Sequence, residues 1–376
     1  MSNGDDLRAG RVRFRALVVL IGALGGIAFS NSYSQTMNNV SKWRTLDARP
    51  PLVIAHRGAS GYRPEHTLAS YLLAIEQGAD FVEPDLVATR DGHLIARHEP
   101  MLDATTDVAQ RAEFADRRTT RMLDGKPVTA FFASDFTLAE IKQLRAIQPN
   151  PARAKDFDGK LEIPTFEEIL ELVRKESAAR GRVIGVYPET KHPAYHLTLG
   201  LPLEDRMLTI LRKFDLDREG GPVFIQSFES ANLQYLRART RLPLVQLMED
   251  GALKYDTSGT RVVGVEIPQY GDPRGGEPPR ELKDIAAYAD AIGPWKRQIL
   301  RDLQQPTLLV TSVIEQAHAA GLRVHTYTFR SEPATLAPQY QNDPLREYRQ
   351  FYEMGIDGVF SDFPDVALKA RVLPVE

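Results

Sequence analysis

The amino-acid sequence predicts an α/β fold built on a parallel sheet or barrel. Short runs rich in β-branched residues alternate with amphipathic helices along most of the chain, which is the pattern of parallel strands joined by helical crossovers. Several predicted helices end at a glycine, the residue that most readily takes the left-handed conformation at a helix end. The 376 residues, 43% of them hydrophobic, supply one large core, and α/β barrels of this length are often single domains.

The elements follow one another in a regular order. Eight strands are predicted, at 52–55, 81–87, 94–98, 183–187, 223–227, 244–247, 323–329 and 358–361. Helices with apolar residues at helical spacing are predicted at 67–77, 166–180, 202–214, 229–240, 311–320 and 345–354. The glycines that follow the last turns of these helices are Gly78, Gly181, Gly321 and Gly355.

Two places depart from the alternation. The gap between strands 81–87 and 94–98 is too short for a parallel crossover, which needs a dozen residues or more. Asp91-Gly92 in this gap is a hairpin signal, so these strands are predicted to be antiparallel. If Asp91 is the centre, residues whose numbers add up to 182 face each other, and His98 lies opposite Pro84. The second place is the polar stretch 101–160, with one helix at 138–144, which we interpret as an excursion from the barrel.

The first 34 residues have the layout of a signal peptide. Four arginines precede an uncharged run of about 14 residues, and small and polar residues follow. The run is short for a membrane-spanning helix, which needs about 20 apolar residues. We therefore expect an exported chain, periplasmic or secreted, whose mature domain is 35–376 and has no stable membrane span. A retained N-terminal anchor is the alternative.

Composition excludes several partners and chemistries. The formal net charge is −3 and no Lys/Arg cluster forms a basic face, so we expect no nucleic-acid partner. The chain has no cysteine, which excludes a cysteine nucleophile, a zinc thiolate site and a lipid-attachment cysteine.

Carboxylates are concentrated where predicted strands end, the position of active sites in α/β barrels. Glu83 and Asp85 are two residues apart on one strand, so both side chains point the same way. Two like charges side by side repel unless a cation lies between them, and oxygen ligands favour Ca²⁺ or Mg²⁺. Glu189 and Lys191 share a face at the end of a later strand, as a third carboxylate for the cation and an ammonium for an anion. The alternative interpretation is that both pairs are ordinary solvated charges with no bound cation.

Two histidines flank these carboxylates. The hairpin brings His98 beside Glu83 and Asp85, and His56 ends the first strand, which should neighbour the second. Two imidazoles beside a metal suit acid–base catalysis at phosphorus, because one can remove a proton while the other donates one. Arg57 follows His56, and its guanidinium complements a phosphate group.

Together these motifs resemble the glycerophosphodiester phosphodiesterase family, and specifically its long periplasmic branch. The family's opening pattern stands here as HRGASGYRPEHTLASYLLAIEQGADFVEPDLVATRDGHLIARHEP, residues 56–100. Later segments that resemble the family are YPETK at 187–191, QSF at 226–228, VHTYTFRSE at 324–332 and DGVFSDFPD at 357–365. The resemblance runs from about residue 50 to the C-terminus.

The resemblance implies a (β/α)8 TIM-type barrel with an inserted excursion after the third strand. It implies a divalent cation, Ca²⁺ favoured and Mg²⁺ possible, held by Glu83, Asp85 and Glu189. His56 and His98 would be the acid–base pair, with Arg57 and Lys191 on the phosphate of a small-molecule glycerophosphodiester. Phe228 and Tyr327 are interpreted either as walls of the glycerol site or as core aromatics.

The sequence departs from the family pattern at two positions, where His66 replaces the usual Asn and Glu99 replaces the usual Asp. We expect neither to touch the proposed metal ligands. Two other functions stay open: a related barrel phospholipase, sphingomyelinase-D-like or lysophospholipase-D-like, and a non-catalytic binding protein on the same fold.

Overall fold

The computed structural model of the chain describes residues 43–301 and 309–372. The predicted signal peptide, 1–34, lies outside the described residues. Within the two described ranges, no helix is both long enough and apolar enough to cross a membrane.

The described chain begins with a strand, a helix and a hairpin. Its first elements are β1 (Leu52–His56), α1 (Leu68–Gln77), β2 (Phe81–Glu83), β3 (Asp85–Ala88) and β4 (Leu94–Ala96). Pro84, which has no backbone N–H to donate, divides the predicted strand 81–87 into β2 and β3. Strands β3 and β4 are antiparallel, with Leu86 opposite Ala96 and Ala88 opposite Leu94. Each pair of numbers adds up to 182, which confirms the predicted register.

The polar stretch 101–160 contains a second hairpin and a short helix. Its elements are β5 (Thr119–Leu123), β6 (Lys126–Ala130), α2 (Leu138–Ile141) and three short 3-10 turns. A small apolar cluster of its own, which includes Phe114, Phe136 and Ile141, packs against Val87 and Ile95 of the first hairpin. The hairpin β5–β6 was not predicted, because its strands are mostly polar and exposed.

Strands and helices alternate through the rest of the chain. In chain order the elements are α3 (Phe166–Arg180), β7 (Gly185–Val186), β8 (Glu189–Thr190), α4 (Pro193–Thr198), α5 (Glu204–Lys213), β9 (Ile225–Ser227), α6 (Ser230–Arg237), β10 (Leu244–Met248), β11 (Leu253–Tyr255), β12 (Val262–Val265), α7 (Leu282–Ala286), β13 (Ala291–Pro294), α8 (Lys296–Ile299), β14 (Leu300–Arg301), β15 (Leu309–Val310), α9 (Val313–Ala319), β16 (Arg323–Phe329), α10 (Pro344–Met354), β17 (Gly358–Ser361) and α11 (Pro364–Val372). Every predicted strand and helix has a counterpart here, with ends that shift by a few residues.

Helix α3 shows why these segments form. The Thr165 hydroxyl accepts from the backbone N–H of Glu168, whose carboxylate accepts from the backbone N–H of Thr165 in return. The helix buries one apolar stripe, including Phe166 and Leu170, and ends at Gly181 in the left-handed conformation.

Parallel pairings join the strands into a ring. Strand β1 pairs with β2 on one side and with β17 on the other. The remaining parallel pairs are β2–β7, β3–β8, β8–β9, β9–β10, β10–β13, β13–β16 and β16–β17. Strands β2 and β3 follow one another directly in the chain, as do β7 and β8, so each pair serves as one strand of the ring. The ring is therefore consistent with a TIM-type barrel.

One strand of the ring was missed. Strand β13 pairs with both β10 and β16, but its four residues, AIGP, carry a glycine and a proline, which are depleted in strands. The short run therefore has too weak a signal to be read as a strand.

The core has two layers. Ile54, Val245 and Phe360 pack in one cluster with Tyr187. A larger cluster joins alternate strand residues such as Val53 and Val359 to the apolar faces of the helices. These layers fix the strands, and the strands in turn fix the residues at their carboxyl ends, where the predicted catalytic groups lie.

Candidate active site

Three carboxylates converge where β2 is followed by β3 and where β7 is followed by β8. Glu83 ends β2, Asp85 begins β3 and Glu189 begins β8, and all three are buried. One oxygen from each lies within 4.8 Å of the others, and the described residues contain no other such group of three. Asp85 and Glu189 are direct partners in the pairing of β3 with β8.

Neighbouring donors fix the orientation of two of these carboxylates. Glu83 accepts the backbone N–H of Arg57 at 2.7 Å and the side-chain amide of Gln226 at 3.0 Å. Oδ2 of Asp85 lies 2.8 Å from Nε2 of His66. Oδ1 of Asp85 is buried with no hydrogen-bond partner among the described residues, which leaves it free to bind a cation.

The carboxylates repel one another strongly. Burial and the nearby charges of Asp85 and Glu189 raise the pKa of Glu83 well above its usual range. Burial raises the pKa of Glu189 to about 8, although the Lys191 ammonium, 2.9 Å from Oε1, opposes this shift. A divalent cation between these oxygens would favour the ionised form of all three groups.

His56 stands at one side of the carboxylates, at the end of β1. Its Nδ1 lies 2.6 Å from Oδ1 of Asp362, which follows β17 directly. This contact orients the ring and leaves Nε2 for a substrate. Burial and the nearby Arg57 charge lower the pKa of His56, although Asp362 opposes them.

His98 has a similar arrangement on the other side. Its Nδ1 lies 2.8 Å from Oε1 of Glu99, and its Nε2 lies 3.3 Å from Nζ of Lys191. Burial and the charges of Arg57 and Lys191 lower the pKa of His98 to about 3. Both imidazoles therefore have a carboxylate beside Nδ1, and this contact orients each ring.

Two cations lie next to the carboxylates. Nη1 of Arg57 contacts both oxygens of Glu65, at 3.0 and 3.1 Å, and its Nε lies 3.6 Å from Asp85. Together with Lys191, this guanidinium gives the carboxylate group positive charge on two sides. An anion bound at the carboxylates through a metal would meet both cations.

The position of His66 corrects one expectation. His66 was expected not to touch the metal ligands, but its ring is fully buried and bridges Asp85 to the hydroxyl of Tyr71, 2.7 Å from Nδ1. The expectation was wrong because the contact of His66 with Asp85 spans 19 residues of chain, and His66, itself left-handed with φ of 55°, lies in the loop between β1 and α1. For Glu99 no contact with the three carboxylates is found in the described residues.

A cavity of about 480 Å³ opens beside this group. His56, Arg57, His98 and two of the carboxylates line one side of it. Phe228 and Tyr327, both half-buried, line another side in an edge-to-face contact with 6.1 Å between ring centroids. The aromatic pair is thus part of the cavity wall.

The sequence profile of the Glycerophosphoryl diester phosphodiesterase family matches residues 56–366. The chain belongs to this family. It is 35% identical to glycerophosphodiester phosphodiesterase GDPD6 of Arabidopsis thaliana over 85% of this chain and 86% of that protein. It is 30% identical to a glycerophosphodiester phosphodiesterase of Haemophilus influenzae over 95% of this chain and 98% of that protein.

Solved structures share the fold of this phosphodiesterase family member. A phosphodiesterase of Oleispira antarctica, solved with the product sn-glycerol-3-phosphate, covers 87% of this chain and 98% of its own, at 23% identity and a TM-score of 0.54. A glycerophosphodiester phosphodiesterase of Agrobacterium tumefaciens covers 85% of this chain and 99% of its own, at 21% identity and a TM-score of 0.53.

Sequence reasoning missed the anchor of His56 in this family member. Asp362 accepts from Nε of Arg330 at 3.0 Å and also contacts Arg153, whose Nε lies 2.6 Å from Glu332. Although burial opposes ionisation, His56 and these arginines lower the pKa of Asp362. The strand-end rule that singled out His56 applies equally to Asp362, but Arg153 lies in the polar stretch 101–160 and has no local signal.

Proposed function

We propose that this protein hydrolyses glycerophosphodiesters to sn-glycerol 3-phosphate and an alcohol, with the help of a divalent cation. The observation that supports the proposal most is the convergence of three buried carboxylates, two imidazoles and two cations, five of which line one cavity. The sequence likeness to glycerophosphodiester phosphodiesterases over most of their length supports the same activity.

The donor set fits a hard cation. Glu83, Asp85 and Glu189 offer oxygen only, and Oδ1 of Asp85 is buried and unpartnered among the described residues. Such a set suits Ca²⁺, which we favour, or Mg²⁺. When bound, the cation supplies Lewis-acid polarisation of the phosphate and neutralises charge that develops on its oxygens.

The side chains of this protein carry the proton transfers. One imidazole of the pair His56 and His98 takes the proton of the free glycerol hydroxyl as that oxygen attacks phosphorus. The bond from phosphorus to the alcohol oxygen breaks, and the other imidazole gives that oxygen a proton. A water then opens the cyclic phosphate with the proton transfers reversed. Asp362 and Glu99 hold the two rings through Nδ1.

Arg57 and Lys191 would bind the phosphate during both steps. Lys191 is buried and Arg57 half-buried beside the carboxylates, and acidic partners hold both side chains, so neither needs to be ordered when substrate binds. The aromatic pair Phe228 and Tyr327 gives the glycerol carbons an apolar wall.

We further propose that the protein belongs to the periplasmic branch and is exported with residues 1–34 as a signal peptide. Its fold would be a (β/α)8 barrel, with 101–160 as an excursion inserted after the third predicted strand. The small core of that stretch and the contact of Arg153 with Asp362 support this description.

The test is a phosphodiesterase assay on the purified protein. We expect release of sn-glycerol 3-phosphate from glycerophosphocholine, glycerophosphoethanolamine and glycerophosphoglycerol, loss of activity with a chelator, and recovery with Ca²⁺ or Mg²⁺. Inactivity on all three with metal supplied would refute the proposal. Activity on lysophosphatidylcholine alone would indicate the related barrel phospholipases instead.

A further inference from the structure

A second cavity adjoins the first, on the far side of His98. It has a volume of about 240 Å³, and His98, Glu189 and Phe228 line both cavities. Its own walls carry Asp124, Glu229, Glu249 and Tyr270. Glu189 is the one carboxylate of the three that lines both cavities, so a phosphodiester bound beside it would be able to extend one ester substituent into each.

Glu229 is the most unusual residue of the second cavity. It comes just after β9, is only 5% exposed, and one of its oxygens accepts the backbone N–H of Ala194 at 3.1 Å. The other carboxylate oxygen has no hydrogen-bond partner within the described ranges. Burial raises the pKa of Glu229 to about 8, so a cation bound beside it would favour its ionised form.

The cationic side chains in this wall already have partners. Nζ of Lys191 pairs with Glu189, while His192 lies between Glu99, at 3.2 Å, and Asp124, at 3.0 Å. Their positive charge is thus matched by carboxylates other than Glu229. Glu249 adds a further negative charge and accepts the hydroxyl of Tyr270 at 2.9 Å.

The spacing of these acids suits an organic cation better than a metal ion. No three carboxylate or imidazole groups of this cavity bring ligand atoms within 4.8 Å of one another in the described structure. The cavity also has two aromatic walls, Phe228 and Tyr270. Acidic groups spread around a cavity with aromatic faces are the arrangement that recognises alkylammonium groups.

We propose that this second cavity binds the ammonium group of a cationic alcohol, of the choline or ethanolamine type, while the glycerol end lies in the larger cavity. This inference rests on the proposed function and adds a preference among its substrates. Glu229 would face the ammonium group, Phe228 and Tyr270 would contact its carbons, and a neutral alcohol would gain neither interaction.

The test compares one cationic and one neutral substrate in matched variants. The readout is the ratio of kcat/KM for glycerophosphocholine to kcat/KM for glycerophosphoglycerol. Glu229→Gln keeps an oxygen for Ala194 and removes the charge, so we expect it to lower this ratio by about tenfold, the scale of one interaction with a charged group. Glu219→Gln, at an exposed carboxylate that lines neither cavity, is the matched control and should leave the ratio at the parental value.

Choline provides a second measurement that does not depend on turnover. We expect choline to bind the metal-loaded parent in titration calorimetry, and Glu229→Gln to weaken that binding by about tenfold. Parental ratios and parental choline affinity in Glu229→Gln would overturn the inference. If the parent hydrolyses neither substrate, the proposed function fails, and the calorimetry alone then decides whether the cavity binds choline.

Discussion

The buried contact of His66 with Asp85 allows a sharp test of the metal site. Replacing His66 by Asn keeps a residue type that tolerates the left-handed backbone found here, with φ of 55°. The amide of Asn ends near the position of Nδ1, so it can still meet Tyr71. It cannot reach Asp85, which lies at Nε2, and Oδ2 of Asp85 then loses its donor.

The size of the effect follows from that lost hydrogen bond. A bond to a charged group contributes about 1.5–3 kcal/mol, and changes to residues that hold a metal ligand cost about 10–100-fold in metal affinity. We therefore expect His66→Asn to raise the Kd for Ca²⁺ by about 10–100-fold in titration calorimetry. The free energy of unfolding without metal should fall by about 1.5–3 kcal/mol in urea.

The matched control is His93→Asn. His93 is exposed and its ring makes no hydrogen bond within the described part of the chain, so the variant should bind Ca²⁺ like the parent. A His66→Asn protein with parental Ca²⁺ affinity and parental unfolding would refute the view that His66 orients Asp85.

Three further predictions concern the carboxylates, the imidazoles and pH. Calorimetry should show loss of Ca²⁺ binding in each alanine variant of the carboxylate triad, and parental binding in all three would refute the ligand set of Glu83, Asp85 and Glu189. His56→Ala and His98→Ala should each lower kcat by at least about 10²-fold while Ca²⁺ still binds, and parental turnover in either would remove that residue from the mechanism. Burial alone would raise the pKa of Asp357, but the contact with His318 and hydrogen bonds from backbone N–H groups lower it. The ionised Asp357 therefore stabilises the fold fully above the usual carboxyl pKa, and this stabilisation is lost as pH falls through the lowered pKa. Urea unfolding at pH 7 and pH 3 should therefore show a smaller loss in Asp357→Asn than in the parent, and equal losses would contradict this assignment.

Local signals were sufficient for much of this fold. The Asp91-Gly92 turn fixed the register of β3 and β4, because a two-residue periodicity and a tight turn leave little freedom in pairing. The same register brought His98 to the carboxylates. Helix ends at Gly78 and Gly181 were also predicted, since a left-handed residue there favours glycine.

Contacts between distant parts of the chain could not be predicted in the same way. Arg153 and Asp362 are 209 residues apart, and neither the spacing nor the residue types around them indicate the contact. The contact of His66 with Asp85 was not predicted either, because a lone histidine before a helix is usually structural. Strand β13 was not predicted because glycine and proline are depleted in strands, although the neighbouring strands of the ring stabilise it here.

The anchor of His56 has a consequence for folding. His56 and Asp362 are 306 residues apart, so one ring of the proposed acid–base pair gains its partner only after the last strand of the sheet has joined the first. Contacts between such distant residues require the closure of a long chain loop, and they form slowly. During refolding, catalytic activity should thus return after most secondary structure has formed, and a chain cut before residue 362 should contain much of the fold but lack an oriented His56.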